Sequence, residues 1–171
     1  MPPFALTLLL ATALDHQPVL WLDVPFIRQV ENGCGAACIV MVLRYWQPSA
    51  PAEEPQAVFR SLFEPKSNGI PAVRMEGYFR RQGYHVYAFR GRWDDLAHHL
   101  AKGRPLIAAL RRGKSEPAHY VVVAGIDTVR DLVQLNDPAR VKLRSMRRND
   151  FEREWRECDY WTLLALPPDE S

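Results

Sequence analysis

Cys34 is the residue of this chain best placed to act as a nucleophile. It follows the turn Glu31-Asn32-Gly33 and opens the most apolar stretch of the sequence, Cys34 to Trp46. A thiol at a helix N-terminus faces unpaired backbone N–H groups and the positive end of the helix dipole, and both favour the thiolate. Gly35, directly after it, lets a substrate or another chain approach without meeting a Cβ. Cys38, one turn further into the apolar run, reads as a buried structural thiol.

A cysteine nucleophile needs a base, and the chain has 5 histidines. His16 lies near the start. His98 and His99 sit in a charged helix and read as solvent-exposed. His85 opens a strand and stays open to either reading. His119 begins a long apolar strand just after a polar loop, where a rigid backbone lets the ring reach a cleft. Such an imidazole needs a third group to fix its tautomer. Asp137 follows the strand Leu132 to Asn136, which returns along the strand running from His119 to Asp127. The two ends of that hairpin meet, so Asp137 is expected beside His119, with Asp127 at the far end. Acyl transfer also needs donors for an oxyanion. The Cys34 N–H is one, and the side-chain amide of Gln29, five residues earlier, is the second.

Short elements must hold these residues. Val19 to Asp23 reads as an edge strand before Pro25. Cys34 to Trp46, apolar on nearly all faces, is expected to be a buried central helix, ended by Pro48 and Pro51. Helices are expected over Glu53 to Phe63, Ile70 to Gln82 (capped by Gly83) and Trp93 to Lys102, and strands over Tyr84 to Phe89 and Pro105 to Leu110. Arg111 to Pro117 reads as a polar loop, and its Arg111-Arg112-Gly113-Lys114 run as a solvated segment rather than a preference for acidic substrates. After the hairpin, Arg147 to Glu157 is an amphipathic helix with Asn149 as its cap, and Tyr160 to Leu166 is a last strand. Helices dominate the first half and strands the second, an α+β layout with a helical N-terminal lobe and an antiparallel-sheet C-terminal lobe.

Composition sets the outer limits. A chain of 171 residues, 47% apolar and 25% charged, fits one globular domain. Its 22 Lys and Arg against 20 Asp and Glu leave a net charge of +2, which excludes a strongly basic nucleic-acid platform. No apolar run reaches the roughly 18 residues of a membrane span, so none is expected in the mature chain. With 3 cysteines, and no zinc-ligand spacing among Cys34, Cys38 and His119, neither a metal nor a cofactor is expected. Oligomeric state is left open.

Phe4 to Ala13 is apolar and uncharged and ends in Ala11-Thr12-Ala13, the form of a signal-peptidase site. Residues 1–13 are therefore expected to be a signal peptide and 14–171 the folded domain, secreted or periplasmic. Without that signal the domain would be cytoplasmic. Export would permit a disulfide between Cys38 and Cys158, leaving Cys34 free.

The segment V-P-F-I-R-Q-V-E-N-G-C-G-A-A-C-I-V-M-V-L-R-Y-W, followed by H-Y-V-V-V-A-G-I-D and V-Q-L-N-D-P-A, resembles a known family over roughly Val24 to Leu166. That family is the papain-like cysteine peptidases that process bacteriocin leader peptides, the double-glycine leader peptidases. The resemblance implies a papain-like two-lobe fold, with Cys34 as nucleophile, His119 as general base and acid, Asp137 as orienting group and Gln29 as oxyanion donor. It implies hydrolysis of a peptide bond through a thioester intermediate, with a peptide or protein as substrate. The best-known members are N-terminal domains of exporters; this sequence carries neither their transmembrane helices nor their nucleotide-binding module, and a stand-alone member is expected. A non-hydrolytic peptide-binding module and an acyltransferase on the same fold are the alternatives.

Overall fold

The computed structural model describes residues 19–51 and 54–170. The expected signal peptide lies outside them. In chain order the elements are strand β1 (Leu20–Trp21), helices α1 (Cys34–Trp46), α2 (Pro55–Leu62) and α3 (Ala72–Arg81), strand β2 (His85–Arg90), helix α4 (Trp93–Ala101), strands β3 (Leu106–Leu110), β4 (His119–Asp127), β5 (Leu132–Asn136) and β6 (Arg144–Arg147), helix α5 (Arg148–Arg156) and strand β7 (Trp161–Leu166). Every pair in the sheet is antiparallel, in the order β2-β7-β3-β4-β5-β6, and β1 also pairs with β4.

The fold is α+β, and its two lobes are better described as two faces of one sheet. Helices α1, α2 and α3 cover one face, against Ile107 and Ala109 of β3, Tyr120, Val122 and Ala124 of β4, and Leu163 and Ala165 of β7. Helices α4 and α5 cover the other, against Leu106, Ala108 and Leu110, Val121 and Val123, and Leu164 and Leu166. Side chains alternate across a strand, so a strand covered on both faces must be apolar throughout. This is why the strand from His119 reads as an unbroken apolar run. A bulge between Val123 and Gly125 slips the alternation by one residue and turns Ile126 to the α4–α5 face.

Helix α1 forms where its apolar run required, and every residue from Gly35 to Val42 is buried. Its C-terminal end is pinned by Trp46, whose Nε1–H donates to the Ala165 carbonyl at 3.1 Å, and by Tyr45, whose hydroxyl donates to the Gly103 carbonyl at 2.8 Å. A helix held this way presents its first residue, Cys34, from a fixed base.

Four local expectations are corrected. The segment expected as α5's cap is already helix: α5 starts at Arg148, Arg147 takes the cap position without a side-chain bond, and Asn149 is exposed. Asp150 supplies the acid of the first turn and pairs with Arg147 and Arg153. Strand β6 was not expected, because only Met146 of its residues is buried and no alternation marks it. His99 is half-buried, unlike exposed His98. Finally, the three cysteines are free; Cys38 is enclosed in the core beneath α1, and no bridge to Cys158 forms.

β1 lies against the bulge, with Leu20 opposite Ile126 and Trp21 opposite Gly125. The backbone approaches so closely that a Cβ on Gly125 would stand 2.8 Å from the Leu20 carbonyl oxygen and 2.9 Å from the Trp21 Cβ. Gly125→Ala is therefore expected to cost about 1–3 kcal/mol by forcing β1 outward. Urea unfolding measures it, and an unchanged midpoint would show that β1 does not depend on this contact.

Candidate active site

Two loops and two element ends build the site. Cys34 opens α1, which begins without any side-chain cap and without an acidic residue in its first turn. The first N–H groups of such a helix have no intrahelical partner and remain available. His119 opens β4, directly opposite Leu110 at the end of β3. Asp137 stands one residue beyond Asn136, which pairs with Val122. Gln29 lies in the loop between β1 and α1.

The hairpin brings Asp137 to His119: Nε2 of the ring lies 2.7 Å from Oδ1 of the carboxylate. The Cys34 side chain lies beside the ring in the same cleft, close enough to raise its pKa. An ionised carboxylate only accepts, so Nε2 carries the hydrogen, and Nδ1 is left for the thiol. Gln29, Cys34, His119 and Tyr120 then line one cleft of about 430 Å³. Asp127, at the far end of the hairpin, instead accepts the backbone N–H groups of Val129 and Arg130 in the turn.

The loop bearing Gln29 is stitched to the loop after Asp137. The Gln29 N–H donates to the Pro138 carbonyl at 3.0 Å, and Arg28 Nη2 donates to the Arg140 carbonyl at 3.1 Å. Buried Asn136 donates from Nδ2 to the Val24 carbonyl at 3.0 Å and accepts the Leu143 N–H on Oδ1 at 3.0 Å. The Gln29 side chain itself is not tied down, and its Oε1 is shut from solvent without a partner.

Asp137 is enclosed, with a side chain 1% exposed. A buried charge must be matched by donors, and here its two oxygens are divided between them. Oδ1 takes His119 and the Ala139 N–H at 3.2 Å. Oδ2 takes Arg144 Nη1 at 3.1 Å and faces Arg140 Nε at 3.6 Å. Burial works against the charged carboxylate, but the hydrogen bond and charge of His119, the Ala139 N–H and Arg144 hold it below the usual range. For His119 burial also opposes charge. The hydrogen bond to Asp137 and the neighbouring Cys34 side chain, with the charges of both, outweigh it and raise the ring from 6.5 to about 9.

Arg140, Arg144 and Asn136 were not singled out in the sequence. The signal was present in D-P-A-R-V-K-L-R, which puts cations three and seven residues after an aspartate that the hairpin buries. Gly35 serves a different end from the one expected. It is buried, and a Cβ there would meet Ile70 at 3.2 Å, Met75 at 3.3 Å and Tyr120 at 3.5 Å, so the space is filled by this chain and not by a substrate. A wider hollow of about 700 Å³ runs along β2 past Tyr87 and His99, and shares no lining residue with the Cys34 cleft.

The His119 ring is expected to titrate near 9 by NMR, and Asp137→Asn should bring it down toward its ordinary value. Because the folded value is raised, the stability this pair contributes is fully present below about pH 6.5 and is lost as pH rises through about 9. A ring that titrates near 6.5 in both proteins would contradict the geometry.

The profile of the Peptidase_C39 like family matches residues 21–162. The lactococcin-G-processing and transport ATP-binding protein LagD of Lactococcus lactis subsp. lactis is 28% identical over 128 residues, which is 75% of this chain; the chain spans 17% of that relative's length. Among solved structures, the peptidase domain of Streptococcus ComA, a bi-functional ABC transporter of a quorum-sensing pathway, superposes with a TM-score of 0.67 at 19% identity, over 84% of this chain and 98% of that one. A double-glycine-motif protease from an AMS/PCAT transporter, solved with the leader peptide, gives 0.64 at 23% identity, over 86% and 94% of the two chains. A C39-like peptidase of Bacillus anthracis gives 0.67 at 14% identity, over 86% and 97%. The α+β fold is thus that of the C39 peptidase domains. With a profile match that begins in β1 and ends in β7, this chain belongs to the Peptidase_C39 like family.

Proposed function

We propose that this chain is a cysteine peptidase in which Cys34, His119 and Asp137 act as the catalytic triad and Gln29 completes the oxyanion hole. The observation that carries this reading is the His119 ring, hydrogen-bonded to Asp137 at 2.7 Å and sharing one cleft with Cys34. A ring raised to about 9 keeps its proton at neutral pH, which suits a thiolate–imidazolium pair.

In the resting pair His119 Nδ1 already holds the Cys34 proton, and the sulfur attacks the carbonyl carbon of a peptide bond. The developing oxyanion is met by the Cys34 N–H and by the Gln29 amide, each contributing about 3 kcal/mol. His119 gives its proton to the leaving amine, the C–N bond breaks and a thioester remains. Water then attacks the thioester, returning a proton to His119. The C–S bond breaks, the carboxylic acid departs and the thiolate–imidazolium pair is restored. Asp137 keeps Nε2 protonated and balances the imidazolium throughout, while Arg144 and Arg140 keep Asp137 itself ionised and in place.

The substrate class we propose is a peptide or a peptide segment of a protein. LagD is described as lactococcin-G-processing, and the AMS/PCAT protease was solved with the leader peptide, which supports a peptide as the occupant of this cleft. Among the described residues no helix is long and apolar enough to cross a membrane. Export directed by residues 1–13 would place the activity outside the cytoplasm.

With quenched-fluorescent peptides as substrates, Cys34→Ala is expected to abolish cleavage while keeping the wild-type circular dichroism. Gln29→Ala should lower kcat roughly hundredfold. Wild-type turnover by folded Cys34→Ala would refute the nucleophile. Mass spectrometry of the products separates hydrolysis from transfer of the acyl group to an added amine.

A further inference from the structure

Arg111 is the cation in this cleft that no anion of the described chain answers. It follows Leu110, the partner of His119 in the sheet, and its backbone N–H donates to the Glu154 carbonyl at 3.0 Å. The start of the loop before His119 is thus fastened to α5 and is not a free solvated segment. The Arg111 side chain is half-buried and forms part of two walls. One is the cleft holding Gln29, Cys34 and His119; the other is an adjoining groove of about 230 Å³ on the Asp137 side.

Its Nε is shut from solvent and has no hydrogen-bond partner. Of the carboxylates around it, exposed Glu116 lines the same groove but makes no ion pair with Arg111, and the others are engaged elsewhere. Arg140 and Arg144 face Asp137, and Glu154 lies 3.9 Å from Arg112. The Cys158 thiol stands close to Arg111, but burial raises it by more than the guanidinium lowers it, so it offers no balancing charge. Burying part of a charged group without a partner is costly. A guanidinium presents a planar fork of N–H donors that matches a carboxylate.

We propose that Arg111 is a specificity residue that binds a substrate carboxylate beside the scissile bond, so that the cleft selects peptides with Asp, Glu or a free C-terminal carboxylate at that place. The proposal rests on the peptidase reading above for where the scissile bond lies. A substrate carboxylate would give Arg111 the counter-charge that the fold withholds, and it would sit next to the base that protonates the leaving amine.

The test uses matched peptides, with Asp against Asn and Glu against Gln at each position around the cleaved bond. A further pair ends just beyond that bond in a free carboxylate or an amide. The full chain should cleave the acidic member roughly tenfold faster in kcat/KM or more, and the pair that responds tells a side-chain carboxylate from a terminal one. Arg111→Met should bring the acid-to-amide ratio to about one. Arg111→Lys, which keeps the charge, should retain part of the preference. Lys114→Gln, an exposed change in the same loop, should retain all of it. A ratio near one at every position in the wild type, a preference that survives Arg111→Met, or an equal loss in Lys114→Gln overturns the proposal. If no peptide is cleaved, the peptidase reading fails on its own, and the same pairs are titrated against the Cys34→Ala chain by fluorescence anisotropy. An Arg111-dependent preference in Kd then supports the carboxylate site; equal or unmeasurable affinities overturn it.

Discussion

A 2.7 Å hydrogen bond between His119 and the enclosed carboxylate of Asp137 is the contact on which the rest of the site depends. Its cost is the burial of a charge, and the chain meets that cost from three directions. The β4–β5 register sets Asp137 next to His119. Arg144 and Arg140 come from the strand and turn that follow. Asn136 ties the preceding loop to the same place through Val24. Asp137 is therefore a junction for the sheet, the Gln29 loop and the β5–β6 connection, and a change at any one of them is felt at the ring of His119.

The division of labour at the carboxylate explains how an aspartate can serve two cations and still raise a histidine. If Arg144 shared Oδ1, it would compete with His119 for the same lone pairs and weaken the bond to the ring. It approaches Oδ2 instead, and Oδ1 is kept for His119 and the Ala139 N–H. The guanidinium keeps the carboxylate charged, and the charge acts on the imidazole. On the other wall, α1 is buried along most of its length and pinned at its far end, so Cys34 cannot retreat from the ring.

Much of this was legible in the residues. The apolar run that begins at Cys34 and the one that begins at His119 both declare elements buried on all sides, and both form with the bounds expected. Their first residues fall at element ends, which is where side chains can face a cleft. Information carried by contacts between distant segments was not legible. Nothing in R-S-M-R marks a strand, because β6 is an edge with only Met146 buried. Nothing local shows that α4 and α5 cross to the far face, since amphipathicity states that a helix has a buried side and not which layer receives it. Gly35 looked like an open approach and is filled by Ile70, Met75 and Tyr120. Arg111 looked solvated because its loop is polar; its half-buried position follows from the anchor on Glu154, 43 residues away.

We propose that His119, held by Asp137, makes Cys34 unusually reactive. The most direct test is the rate at which iodoacetamide alkylates each cysteine of the folded chain at neutral pH, read by peptide mass spectrometry with and without His119→Ala. Cys34 should react well ahead of Cys38 and Cys158, and the substitution should remove its lead. Equal, slow labelling of all three thiols, or a Cys34 rate indifferent to the loss of His119, would contradict the proposal.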